Sequence, residues 1–70
     1  MTAQEFLNWM ETVGFHKAVQ VSDALGISRN NAQEIVADVK AGRDIKVKRT
    51  VALAMSAIAQ GLKPWDEYER

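Results

Sequence analysis

Apolar residues recur at helical spacing near the start of the chain, and a glycine follows them. The first apolar stripe has the i, i+3, i+4, i+7 spacing of one helix face and consists of Phe6, Trp9, Met10 and Val13. Phe6 and Trp9 could instead stack on nucleic-acid bases, but at this spacing we interpret them as core residues. Gly14 is expected to end the helix, because glycine readily takes the left-handed conformation found after helices. Thr2 and Glu5 predict a capping box at its start.

Two further helices are predicted in the middle of the chain, over about 17–25 and from Ser28 to a closing glycine, Gly42. Their apolar residues again fall three and four positions apart. The second stripe consists of Ala18, Val21 and Leu25, and the third of Ala32, Ile35, Val36 and Val39. The opposite face of the third helix carries Arg29, Asn30, Gln33, Glu34, Ala37 and Asp38. This face offers side-chain amides and a guanidinium rather than the usual mixture of lysine and glutamate.

A short turn joins the second predicted helix to the third. Gly26 is expected to reverse the chain there, and Ile27 to point into the core because it is apolar in a tight connection. Ser28 is expected to cap the third helix, since its hydroxyl can accept a hydrogen bond from an amide two or three residues later. Ala24 is small enough to let the two helices approach closely.

The last third of the chain consists of a charged alternating segment, an apolar segment and a short tail. Residues 43–48 (RDIKVK) alternate charged and apolar side chains. They predict an extended connection rather than a strand, because a lone strand would have no partner in this chain. From Arg49 to Gln60 the sequence is apolar on nearly every side, which predicts a helix buried on more than one face. After Gly61 comes a tail in which Pro64 suits the first turn of a short helix.

These elements predict an all-α fold, a compact bundle of four to five helices forming one domain over residues 1–70. A chain of 70 residues allows one domain and no more. The absence of cysteine excludes disulfides, thiolate metal sites and cysteine nucleophiles, and one histidine cannot form a multi-histidine cluster. His16 has no obvious catalytic partner, so we interpret it as a surface or capping residue. We therefore expect no metal, no cofactor and no enzymatic activity.

The charges are balanced in number but not in position. The net charge is zero, yet a basic cluster opposed only by Asp44 consists of Lys40, Arg43, Lys46, Lys48 and Arg49. Such a cluster indicates either a local positive face for a polyanion or an ordinary solvated connection. The longest apolar stretch, 51–55, is far below the ~20 residues that span a bilayer. Because the N-terminal region also lacks the basic residues of a secretion signal, we expect a cytoplasmic protein without a membrane partner.

Two short helices joined by a glycine turn, the second opening with Ser-Arg-Asn-Asn, match the helix-turn-helix arrangement. The chain over 6–65 resembles the lambda-repressor-like (Cro-like, XRE) helix-turn-helix regulators of bacteria and phages. LGISR at 25–29 and RTVALAMSAIAQGLKPW at 49–65 carry the resemblance. The second motif is similar to the ending of a subgroup of small phage-type regulators, some encoded beside anti-CRISPR genes, that repress their own operons. Relatives usually have alanine in place of Ser22 and reach the glycine at Gly42 about four residues earlier.

The pattern and the resemblance together predict a sequence-specific double-stranded DNA-binding transcriptional regulator. It is expected to act as a homodimeric (auto)repressor on an inverted-repeat operator, through the helix that starts at Ser28, in a bacterial cell or a phage-infected host. No small-molecule ligand is expected. The predicted base contacts are Arg29, Asn30, Gln33 and Glu34. The predicted phosphate contacts are Lys17, Ser28, Asn31, Lys46, Lys48 and Arg49.

The apolar fourth helix predicts a second copy of the chain as its cover. We expect the segment 49–70 to form the dimer, through Val51, Leu53, Met55, Ile58, Trp65 and Tyr68. Alternatively, its alanine-rich face packs against the first helix and Trp65 closes a monomeric core. A different function also fits the pattern: a helical protein–protein interaction module, such as an adaptor or an antitoxin-like partner, that docks through 51–59.

Overall fold

The computed structural model describes residues 1–68, which fold into four α-helices and one short 3-10 helix. The α-helices are α1 (Ala3–Val13), α2 (Ala18–Leu25), α3 (Arg29–Lys40) and α4 (Arg49–Ala59), and the 3-10 helix spans Trp65–Glu67 in the tail. No strand occurs within 1–68, and residues 43–48 form an extended connection. The all-α class and the interpretation of 43–48 are therefore confirmed. The last two residues of the predicted dimerisation segment, 69–70, lie outside the described residues.

The predicted caps of α1 are present at both ends. The Glu5 backbone N–H donates to the Thr2 hydroxyl at 3.1 Å, and the Thr2 backbone N–H donates to the Glu5 carboxylate at 3.1 Å. The hydrogen bond from the Thr2 backbone, followed by that with the Thr2 side chain, lowers the pKa of Glu5 below its ordinary value of 4.5. Gly14 follows the helix with a φ of 79°, in the left-handed region that favours glycine.

The core forms where the apolar stripes of the helices meet. Phe6 from α1, Val21 from α2 and Val39 from α3 are its largest fully buried side chains. Trp9 connects α1 to α4, because its indole Nε1–H donates to the Met55 carbonyl at 2.8 Å. The Trp9 ring also packs at centroid distances of 5.4 Å against Phe6 and 5.6 Å against Phe15. The interpretation of Phe6 and Trp9 as core residues is confirmed.

The turn between α2 and α3 is stabilised by Ser22 rather than by Ala24. Gly26 has a φ of 68°, and its N–H donates to the Ser22 carbonyl at 2.9 Å. The buried Ser22 hydroxyl donates to the Ile27 carbonyl at 2.8 Å, which satisfies a backbone acceptor inside the turn. Ala24 is exposed and lines a surface groove with residues of α4 and of the tail instead. The expectation that Ala24 allows the close helix approach is wrong.

Helix α4 buries less of its surface than its composition suggests. Met55 is the one residue of α4 that is buried in the core, with 4% of its surface exposed, whereas Val51 and Ile58 are half-buried against the core. Leu53, on the other side of the helix, is 58% exposed. Within the described chain, therefore, one apolar side of α4 has no cover.

Candidate nucleic-acid interface

The first turns of α3 present a continuous polar surface. Ser28 caps the helix as predicted, its hydroxyl accepting a hydrogen bond from the Asn31 backbone N–H at 3.1 Å. The four residues predicted to read bases are all exposed: Arg29, Asn30, Gln33 and Glu34. Because the apolar stripe of α3 is buried in the core, this polar face is turned outward.

A groove of about 290 Å³ lies beside the start of α3 and brings together residues that are distant in sequence. Its polar lining consists of Asn31 from α3 and of Lys46 and Lys48 from the extended connection. Its apolar lining consists of Ile27, Ile35, Val47 and Val51. We call this the basic groove. Three of the six predicted phosphate contacts, Asn31, Lys46 and Lys48, therefore share one concave surface.

The other predicted phosphate contacts lie at helix starts outside the lining of this groove. Lys17 is exposed immediately before α2, where the Gln20 side-chain oxygen accepts from the backbone N–H groups of His16 at 2.6 Å and Lys17 at 2.9 Å. Arg49 is the exposed first residue of α4, and Ser28 is the exposed cap of α3. The two cations among them thus lie at the starts of α2 and α4, and Ser28 lies at the start of α3.

A second groove, of about 430 Å³, runs between the end of α2, one side of α4 and the tail. We call it the apolar groove. Its most exposed apolar side chains are Leu53 at 58%, Leu62 at 52% and Trp65 at 78%. Sequence reasoning missed Leu62, which follows the end of α4 and turns back because its N–H donates to the Ala57 carbonyl at 2.9 Å. The motif "AQGLKPW" at 59–65 was the available signal.

The structure divides the six residues predicted to form the dimer among several places. Leu53, Ile58 and Trp65 line the apolar groove. Tyr68 packs 6.1 Å from the Trp65 ring and accepts a hydrogen bond from the Lys63 backbone N–H at 3.1 Å, so it also closes the tail on itself. Val51 lines the basic groove instead.

Met55 requires a correction. It is buried inside the protomer, and its carbonyl accepts the indole hydrogen bond of Trp9. A residue already covered by its own chain offers no surface to a second copy, so the prediction that Met55 contributes to a dimer interface is wrong.

The described residues give no sign of a metal site or of a membrane span. Within 1–68, no three acidic or histidine side chains come together in a way that could hold a metal ion. None of the helices there has the length and apolar character needed to cross a bilayer. His16 is exposed, as expected of a surface residue, and lines an open depression with Glu11 and Lys40.

Comparison of this chain with protein-family models, with curated proteins and with solved structures gives no match. The resemblance carried by the LGISR and C-terminal motifs therefore remains a prediction. What supports a function is the geometry of the exposed face of α3, the basic groove and the apolar groove.

Proposed function

We propose that the chain is a sequence-specific double-stranded DNA-binding protein of the helix-turn-helix type that acts as a homodimeric transcriptional (auto)repressor. In this proposal α2 and α3 form the helix-turn-helix, and α3 enters the major groove. The observation that carries the proposal is the position of the polar, Ser28-capped start of α3 directly beside the two lysines of the basic groove. Side chains that can contact base edges and side chains that can contact phosphates are therefore adjacent on one surface.

The side chains on α3 are of the types that discriminate base pairs. Arginine makes bidentate hydrogen bonds with guanine, asparagine and glutamine with adenine, and glutamate accepts from cytosine. Arg29 and Gln33 lie one turn apart, as do Asn30 and Glu34. Four residues of helix rise about 6 Å along the axis. Each pair can therefore contact bases about two steps apart in the groove.

The lysines contribute binding energy that does not depend on sequence. Neutralising phosphates releases counterions, so the affinity falls steeply with salt concentration. The zero net charge of the chain does not oppose this, because the affinity depends on the charges that face the DNA. Acidic residues such as Glu11 and Glu67 lie outside the lining of the basic groove.

Lys48→Ala is expected to weaken binding to every DNA sequence by a similar factor and to reduce the salt slope by about one. The reason is the loss of one phosphate contact without the loss of a base contact. Binding isotherms on specific and random duplexes at several salt concentrations measure both quantities. Lys40→Ala, which removes an exposed lysine at the end of α3 that lines neither groove, is the matched control and should leave the slope unchanged. A slope that Lys48→Ala does not alter would assign the segment to an ordinary solvated connection.

The apolar groove supports the proposal of a second copy of the chain. Leaving Leu53, Leu62 and Trp65 in water forgoes roughly 25 cal/mol for each Å² of apolar surface that a partner would cover. Association of two copies also suits DNA binding, since two recognition helices about 34 Å apart read successive major grooves on one face of the duplex. An inverted-repeat operator follows from that symmetry.

Leu53→Glu is expected to convert the dimer to a monomer of 7.8 kDa without unfolding it, because this side chain is 58% exposed in the protomer. Sedimentation at micromolar concentration measures the mass, and circular dichroism verifies the fold. Ala59→Glu adds the same charge at an exposed position of α4 outside the groove lining and should retain the dimer. A wild-type chain that sediments at 7.8 kDa would contradict the dimer proposal.

The experiment that tests the function as a whole is the selection of bound fragments from random double-stranded DNA. A (pseudo)palindromic motif is expected, with an affinity that falls as the salt concentration rises. Failure to enrich any motif would overturn sequence-specific recognition.

The exposed apolar groove also favours a second candidate, a helical protein–protein interaction module docking through 51–59. That function predicts no salt-dependent binding to DNA, so the same isotherms distinguish the two.

A further inference from the structure

The connection between α3 and α4 has no regular secondary structure, yet three hydrogen bonds join it to the start of α1. The Met1 backbone nitrogen donates to the Ile45 carbonyl at 2.9 Å, and the Ile45 N–H donates to the Met1 carbonyl at 3.0 Å. Beside this pair, the Asp44 carboxylate accepts from the Ala3 N–H at 3.2 Å. The Ile45 side chain is buried in the core. The connection is therefore held in place at 44–45.

Asp44 acts on α1 as a cap supplied from 41 residues away. The first N–H groups of a helix have no partner within the helix. Thr2 satisfies that of Glu5, and Asp44 satisfies that of Ala3, the first residue of α1. A carboxylate is favourable at this end because the helix dipole is positive there. This accounts for an acidic residue in the middle of the basic cluster.

The residues after Asp44 alternate in exposure, as expected for an extended segment. Ile45 is buried, Lys46 exposed, Val47 half-buried and Lys48 exposed. Two positions apart in an extended chain is roughly 7 Å, and such residues lie on the same side. Both lysines line the basic groove with Asn31, and the half-buried Val47 between them lines its apolar part.

We infer that Asp44 is a positioning residue for DNA binding. By holding the connection against the start of α1, it keeps Lys46 and Lys48 in place, in the same groove as Asn31, to contact two neighbouring phosphates of one DNA strand. The connection is already ordered in the free protein. DNA binding therefore does not have to supply the conformational entropy of ordering it. This inference rests on the proposed function.

Removal of Asp44 is expected to change the DNA affinity in the direction opposite to that expected from its charge alone. Asp44 is a negative charge close in sequence to two lysines that contact a polyanion, so its removal should strengthen DNA binding if charge were its only effect. If Asp44 positions the lysines, its removal weakens binding, because the segment that carries them loosens.

The test compares Asp44→Ala with Asp44→Asn in the full-length protein. The Asp44→Asn substitution removes the charge but keeps an oxygen that can accept from Ala3, and asparagine caps helices as well as aspartate does. We expect Asp44→Ala to bind all DNA sequences more weakly than wild type, with the salt slope reduced by about one to two. We expect Asp44→Asn to bind at least as tightly as wild type. Glu11→Ala, which removes an exposed carboxylate from α1 outside the connection, is the charge control and should not weaken binding.

Hydrogen exchange at the Ile45 amide supplies a readout that does not depend on DNA. It should be faster in Asp44→Ala than in wild type and unchanged in Asp44→Asn. If Asp44→Ala bound DNA as tightly as Glu11→Ala, or left the Ile45 exchange unaltered, the positioning role would be overturned and the proposed function would stay intact. A wild-type protein without salt-dependent DNA binding would overturn both.

Discussion

Trp9→Ala is expected to lower the free energy of unfolding by about 3–5 kcal/mol, the cost typical of removing a large buried aromatic side chain. Trp9 is 8% exposed, packs between Phe6 and Phe15, and donates a hydrogen bond from α1 to α4. Domains of this kind have a total stability of only about 5–15 kcal/mol. The loss is therefore a large share of what holds the protein folded, and urea denaturation followed by circular dichroism measures it.

The second tryptophan of the chain supplies the matched control. Trp65 is 78% exposed, so Trp65→Ala should change the stability of the protomer by no more than about 0.5 kcal/mol. Both substitutions are best made in the Leu53→Glu background, because dimerisation would otherwise add to the apparent stability. Equal losses for the two variants would contradict the core role of Trp9. Trp9→Phe, which keeps an aromatic ring but not the indole donor, should lie between wild type and Trp9→Ala.

Gln33→Ala is expected to cost about 1–3 kcal/mol of binding free energy on the best operator and to relax the preference at one base pair. Gln33 is exposed in the middle of the polar face of α3, one turn beyond Arg29, and its removal leaves the apolar stripe of the helix intact. Binding isotherms on the operator and on its single-base-pair variants measure the change and locate the position that Gln33 reads.

The control is Gln60→Ala, which truncates the same side chain at the exposed end of α4 and should leave both affinity and preference unchanged. If Gln33→Ala weakened all sequences equally, Gln33 would contact the backbone rather than a base, and the direction in which α3 enters the groove would have to be revised.

The sequence was sufficient to predict features that depend on a few neighbouring residues. The capping box of Thr2 and Glu5, the Ser28 cap and the left-handed glycine at Gly14 all involve interactions within three or four positions. The apolar stripes of α1 and α3 were also predictable, because each helix has a single apolar face and that face is the one buried. Consequently the helix boundaries and the outward direction of the candidate base-reading residues followed from pattern alone.

The candidate phosphate contacts were predictable as residues but not as a site. Lys46, Lys48 and Asn31 stand out by type and position in the sequence, whereas their meeting in the basic groove depends on how the connection packs against α3. The role of Asp44 was not visible at all, since its partner, Ala3, is 41 positions away. In the sequence it is only an acidic residue that interrupts a basic cluster.

Periodicity could not decide which side of α4 is buried, because this helix is apolar in several directions. The packing of the helices decided this: Met55 is buried in the core together with Trp9 of α1, while Leu53 is exposed in the groove that Trp65 and Leu62 also line. Ala24 was misassigned for the same reason, since the orientation of α2 rather than the size of the side chain determined that Ser22 meets the turn.

The sequence by itself determined where helices begin, where they end and which of them carry a single apolar face, because those effects are local. Only the tertiary structure decided which of several apolar faces is covered and which distant groups meet, because both depend on the packing of elements that are remote along the chain.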